Sequence, residues 1–188
     1  MRADPPNDRS HLSEALASDL DSAFPSLVMS LQDPVFSGAL RMTGSRSDAE
    51  DISQEAFARA YRALGSYPPE RVRSLDLRAW VWTIAANLCR NRARSLSRHP
   101  ETLVAELPPS GDGARGPEQE ALDGAEARLL ASHLVRLPWP MRAAVVLRHV
   151  VDLSYPEIAA VLGRPEGTVK ADVHRGLERL RASLEEYR

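Results

Sequence analysis

The chain has 188 residues, enough for one ordinary domain or two small ones. Apolar residues make up 43% of it and charged residues 27%, with a formal net charge of -2, which is a soluble globular balance and not a disordered one. Overall charge gives no sign of nucleic acid, so any such signal must be local. The lone Cys89 excludes an internal disulfide and fits a reducing cytoplasm. The opening residues Met1 to Pro6 have no apolar core and do not read as a signal peptide. No apolar run approaches the ~20 residues a membrane helix needs. A cytoplasmic protein without membrane insertion is expected. The 23 Arg against a single Lys, Lys170, reflect the coding bias of a GC-rich genome, not a function.

Taken in chain order, residues 1–19 form a polar extension with Pro5 and Pro6, expected to be loosely ordered at its start. From Leu20 to about Ser97 the pattern is helical, with no period-two alternation and no hairpin signal. Asp48 to Leu64 reads as a helix capped by Ser47, with Asp48, Glu50 and Asp51 at the positive end of its dipole. Ala49, Ile52, Ala56, Phe57, Ala60 and Leu64 share one side of it. Asp51, Gln54 and Glu55 share the other, either a solvated face or a docking surface for a basic partner.

Gly65 to Asp76 reads as a loop containing Tyr67, Arg71, Arg73 and Ser74. It is either a plain connector or a place to stack and hold an unpaired base. Leu77 to about Leu96 is a second strong helix, with Leu77, Trp80, Val81, Ile84, Ala85 and Leu88 as its apolar arc. Thr83, Asn87, Arg90 and Arg94 run down the opposite arc, with Asn91 at the edge. Arg and Asn grip phosphates and read base edges. An arginine-rich surface in an arginine-biased chain is the plain alternative.

His99 to Gly124 breaks the helical pattern with four Pro, four Gly and six acids against one Arg, the composition of a flexible acidic linker. It follows a block, Arg71 to Arg98, of seven Arg and one acid. Helical periodicity returns from Ala125 onward. The expected fold class is all-α: two small helical domains, at 20–98 and 125–188, joined by that linker, the second one a helix-turn-helix.

In the second module, Arg142 to Val151 reads as a helix. Ser154 and Glu157 form a capping box with Pro156 in the first turn, and Gly163 stops the short helix they open. Pro165 opens the next helix, with Val169, Val173, Gly176, Leu177, Leu180 and Leu184 as its buried stripe. This is the helix-turn-helix pattern, whose plain alternative is a helical hairpin with no DNA role. Thr168, Ala171 and Arg175 are expected to point outward, flanked by Lys170 and His174 on one side and Asp172 on the other. His174 has no second ligand one turn away. With no Gly-rich phosphate loop, metal-ligand cluster or nucleophile motif, neither a cofactor nor an enzyme is expected.

Together these segments resemble the extracytoplasmic-function (ECF) subfamily of bacterial sigma factors. The carrying residues are Arg41-Met42-Thr43-Gly44, Asp48 to Phe57, Arg78 to Leu88, Leu137-Pro138, Leu153 to Ala159, and Glu166-Gly167-Thr168-Val169-Lys170. The resemblance covers about Leu27 to Arg98 and Leu129 to Leu184. It implies a transcription initiation factor whose partners are core RNA polymerase, at the beta-prime clamp and beta flap, promoter DNA, and an anti-sigma protein. It assigns Asp51, Gln54 and Glu55 to polymerase. It assigns Arg71, Arg73, Ser74, Thr83, Asn87, Arg90, Asn91 and Arg94 to the melted -10 element. Thr168, Lys170, Ala171, Asp172, His174 and Arg175 would read the -35 element in the major groove, and the linker would thread toward the polymerase active-site channel. Two features depart from the family: Asp172 stands where a basic residue is common, and the N-terminal extension has no family role. The rival reading is a helix-turn-helix repressor or activator acting without polymerase, which needs neither the acidic face nor the arginine stripe.

Overall fold

The computed structural model describes residues 6–98 and 129–185, and every regular element among them is an α-helix. The elements are α1 (Pro6–Ser18), α2 (Leu20–Thr43), α3 (Arg46–Ser66), α4 (Pro69–Arg73), α5 (Leu77–Arg98), α6 (129–136), α7 (Trp139–His149), α8 (Tyr155–Leu162) and α9 (Glu166–Glu185). The linker expected at 99–124 lies outside the described residues.

Local chemistry explains the ends of the helices. Asp19 caps α2, accepting from the Ser22 N–H at 3.1 Å and the Ser22 hydroxyl at 2.7 Å. Gly44 ends α2 in the left-handed region at φ 74°, where its N–H donates to the Leu40 carbonyl at 2.7 Å. Ser45, not Ser47, caps α3, accepting from the Asp48 N–H at 3.2 Å. The helix starts as soon as the Gly44 turn allows, so the cap falls two residues earlier than the charge pattern suggests. In α8 the capping box is closed from both sides: the Ser154 N–H donates to Glu157 Oε2 at 2.6 Å, and the Glu157 N–H to the Ser154 hydroxyl at 3.4 Å. Gly163 ends α8 at φ 62°.

Three expectations change. The N-terminal extension is helical from Pro6, and α1 packs on α2 and α4 with Leu16 buried. The connector between α3 and α5 contains the helical turn α4, whose Val72 is buried. The helix expected from Arg142 begins at Trp139, after Pro138, and α6 precedes it. Proline at the N-terminal edge suits a helix start, because its missing N–H would be unpaired there anyway.

In the first module α2, α3 and α5 pack on one another around Leu27, Val35, Met42, Phe57, Val81 and Trp82. In the second, α7 and α8 pack on α9 around Val146, Leu147, Leu153, Ile158 and Val169. The modules also meet: α8 lies against α5 and α7 against α2. Arg142 reaches across, its Nη1 donating to the Met42 carbonyl at 2.7 Å while its Nη2 donates to the Leu137 carbonyl at 3.1 Å. Arg78 of α5 donates to the Val151 carbonyl in return. Burial holds the Arg142 guanidinium below its ordinary pKa.

Candidate polymerase and DNA interfaces

The acidic face of α3 is outward. Asp51 and Gln54 are exposed and Glu55 is half-buried. Glu55 accepts from Arg59 Nε at 2.7 Å, with Arg62 Nη2 at 3.6 Å. The hydrogen bond from Arg59 holds the Glu55 carboxyl below its usual range. Asp48, one turn earlier, behaves differently: it is buried and takes Arg92 Nη2 of α5 at 2.6 Å. That pair ties the start of α3 to the arginine-bearing half of α5.

The α3–α5 connector carries a stacked group. Arg71 lies over the Tyr67 ring at 3.7 Å from its centroid, and Tyr67 meets Trp80 edge-on at 6.0 Å. Arg73 Nε donates to Glu14 Oε2 of α1 at 2.8 Å, and the Ser74 hydroxyl to the Arg71 carbonyl at 2.9 Å. Arg71, Arg73 and Ser74 are all exposed. The N-terminal helix is therefore in direct contact with this connector, a role sequence reading did not assign.

The stripe on α5 is placed differently from expectation. Thr83, Asn87 and Arg90 are half-buried, while Asn91 and Arg94 are exposed. Asn87, Arg90 and Arg94 line a cavity of about 340 Å³ whose other wall is Trp139, Pro140 and the α8 end with Arg164. Within it, Arg90 Nη2 donates to Asn87 Oδ1 at 2.6 Å. The stripe does point away from the first module's core, but the second module partly covers it at Asn87 and Arg90. The burial of Trp82, Ala86 and Cys89 beside the expected apolar arc shows how far α5 is enclosed.

On α9, Lys170, His174 and Arg175 are exposed, and Thr168 and Ala171 half-buried. Lys170 Nζ pairs with Glu166 at 2.6 Å and sits 5.5 Å from the Tyr155 ring centroid; the hydrogen bond it donates to Glu166 raises its pKa. His174 Nδ1 lies 3.3 Å from Glu178 Oε2. Asp172 corrects the expected arrangement. It is only 3% exposed and does not face outward as a base-reading group. One carboxylate oxygen takes Arg175 Nη2 at 2.7 Å and the other takes Arg164. The signal was available, because Asp172 is three residues from Val169 and four from Gly176, both on the buried stripe. Leu177, counted in that stripe, is 39% exposed.

Residues 27–99 match the family described as Sigma-70 region 2, and residues 128–180 the one described as Sigma-70, region 4. SigW of Bacillus subtilis, an ECF RNA polymerase sigma factor, is 32% identical over 172 residues, covering 86% of this chain and 89% of that protein. The chain belongs to the ECF RNA polymerase sigma factors. The ECF sigma-E factor of Escherichia coli K12 is 33% identical, with 83% of each protein covered. SigE of Mycolicibacterium smegmatis is 35% identical over 86% of this chain, which spans 61% of that relative's length. Among solved structures, CnrH in complex with the cytosolic domain of CnrY matches with a TM-score of 0.69 and 27% identity, covering 95% of this chain and 97% of that one. The sigma factor RpoE of Bartonella quintana, solved with the anti-sigma factor NepR, shares the fold at a TM-score of 0.66 and 22% identity.

Within this ECF sigma factor no helix of the described residues is long and apolar enough to cross a membrane. Among the same residues no group of His, Cys, Asp and Glu is arranged to hold a metal ion.

Proposed function

We propose that this sigma factor binds core RNA polymerase in the cytoplasm and directs it to specific promoters, reading the -35 element as duplex and the -10 element as melted strand. It supplies recognition and carries no catalytic chemistry of its own. The first module, residues 20–98, docks on the beta-prime clamp through Asp51, Gln54 and Glu55 and handles the -10 strand through the α3–α5 connector and the α5 stripe. The second, residues 125–188, meets the beta flap and lays α9 in the major groove, with Thr168, Lys170, Ala171, His174 and Arg175 on the DNA side. Residues 99–124 pass toward the active-site channel. An anti-sigma protein holds the factor inactive, a partner of the kind named in the RpoE structure, which was solved with the anti-sigma factor NepR.

The observation that carries this reading is the joint presence, in one chain, of an outward acidic helix and two separate cationic surfaces. A repressor that binds only duplex DNA has no use for Asp51 and Gln54, exposed on the side of α3 away from its core, nor for a second arginine surface on another module. The covered stripe adds a condition. Asn87 and Arg90 meet a strand only after α8 moves off α5, so engagement with polymerase and opening of the two modules belong to one event.

The test is a pull-down with core RNA polymerase followed by binding to promoter DNA with a pre-melted bubble. Asp51→Ala with Glu55→Ala should weaken polymerase binding while leaving the fold intact, since exposed changes usually stay within ~0.5 kcal/mol. Asn87→Ala should erase the preference for one -10 sequence in the non-template strand, at a loss of ~1–3 kcal/mol if it reads a base. Undiminished polymerase affinity in the double variant removes the docking assignment. Equal discrimination by Asn87→Ala and the unaltered protein moves base reading to the connector alone.

A further inference from the structure

We propose that Asp172 is a positioning residue for the -35 surface: a buried carboxylate that holds Arg164 and Arg175 in fixed places and thereby favours sequence discrimination over general DNA attraction. The proposal rests on the reading of α9 as the duplex-binding helix.

The basic side chains on this surface fall into two groups. Lys170 with Glu166 and His174 with Glu178 are pairs in which both side chains are well exposed, at 55% and 43%, and 75% and 60%. Such pairs contribute little and separate readily when a phosphate competes. Asp172 is different, with 4% of its side chain exposed. It lies on the buried side of α9, between the positions of Val169 and Gly176. It cannot swing into solvent without unpacking the helix, and leaving it unpaired in place is strongly unfavourable.

Its two oxygens are divided. Oδ1 takes Arg175 Nη2 at 2.7 Å, and Oδ2 takes Arg164 Nη1. Arg164 lies in the turn between α8 and α9, and Arg175 three residues beyond Asp172 on the exposed side. One carboxylate thus links the turn of the motif to the middle of its second helix. A guanidinium has five N–H donors in a rigid fork. With one edge committed to Asp172, Arg175 keeps its other donors for an acceptor held at one direction and distance, such as guanine O6 and N7. The group of three carries one net positive charge in place of two, so it attracts phosphate less.

The experiment uses the full chain. A pool of duplexes with a randomised ten-base-pair segment is selected with the unaltered protein. Affinity for the selected duplex and for a scrambled one is then measured across a salt series. Asp172→Asn keeps the shape and one acceptor but removes the charge. It should bind the scrambled duplex more tightly, steepen the salt dependence by about one ion, and lose about five- to tenfold of its discrimination, the lower part of what one base contact supplies. Adding Arg175→Met to Asp172→Asn should then change discrimination far less than Arg175→Met does alone. If Asp172→Asn melts earlier but keeps the same salt slope and discrimination, the residue only supports the fold and the proposal is wrong.

Nitrogen NMR of the guanidinium groups reads the clamp without DNA. Arg164 and Arg175 should show restricted Nη rotation in the unaltered protein and free rotation in Asp172→Asn. Free rotation in the unaltered protein overturns the clamp whatever the DNA results are. Restricted rotation in a protein that selects no duplex sequence upholds the clamp and overturns the -35 reading and the discrimination role with it. Should Asp172→Asn fail to fold, Arg164→Met tests the same device from the turn between α8 and α9: the Arg175 signal should become mobile and discrimination should fall, and an unchanged value of both would overturn the proposal.

Discussion

Gly38 gives the sharpest stability test. It sits in α2 where that helix crosses α5, and a Cβ built there would lie 2.3 Å from Cη2 of Trp82, with Cζ2 and Cζ3 at 3.1 and 3.2 Å. Carbon atoms in contact prefer about 3.5–4.0 Å, so the overlap is roughly 1.2 Å or more. Trp82 is fully buried, so its ring has no solvent to retreat into. Gly38→Ala gains ~1 kcal/mol of helix propensity. Against this stands overpacking of ~1–3 kcal/mol, here at the upper end because the obstacle is a large rigid ring. The net expectation is a loss of ~1–2 kcal/mol, or a Tm lowered by about 2–8 °C. Thermal and urea denaturation followed by circular dichroism measure it. Gly167→Ala in α9, where nothing lies within 4 Å of the added carbon, serves as the control and should melt at or above the unaltered protein. Trp82→Leu destabilises by itself but removes the obstacle, so in that background Gly38→Ala should no longer cost stability, a coupling of at least ~1 kcal/mol. A Gly38→Ala protein that melts no lower than the unaltered one, or an equal cost in both backgrounds, would refute the close-packed α2–α5 crossing.

Three other outcomes follow from the geometry. Burial pushes the Cys89 thiol up to about 12, so iodoacetamide at pH 8 should alkylate the folded protein about a thousandfold more slowly than the urea-unfolded chain, by mass spectrometry; fast native labelling would mean that α5 is open there. Ser154→Ala removes one arm of the α8 capping box and should cost ~1 kcal/mol in urea unfolding, whereas Glu14→Ala, at an exposed pair with Arg73, should stay within ~0.5 kcal/mol. Glu55 should titrate below an ordinary glutamate in carbon-detected NMR and return upward in Arg59→Ala; because its folded pKa is depressed, its contribution is present above the unfolded pKa and is lost as pH falls through the folded one.

The longer helices, the end signals of α8 and the family were legible in the sequence because they depend on local chemistry. Ser154 and Glu157 cap α8 through backbone groups within one turn, Gly163 can adopt a positive φ wherever it stands, and the periodic apolar residues of α3 and α9 mark a face whatever packs on it. The outward placement of Asp51 and Gln54 follows from the same periodicity. What tertiary structure decided is everything that depends on a distant partner. Periodicity names a face of α5 opposite the first core, but only the approach of α7 and α8 makes Asn87 and Arg90 half-buried. A polar N-terminal stretch says nothing of α4, yet Glu14 meets Arg73 across 59 residues. Arg142 reaches a carbonyl 100 residues away, a contact that no spacing rule encodes. Asp172 lies between these cases. Its position on the buried stripe was readable, but a buried carboxylate persists only with partners, and the turn that brings Arg164 to it exists only in the folded chain.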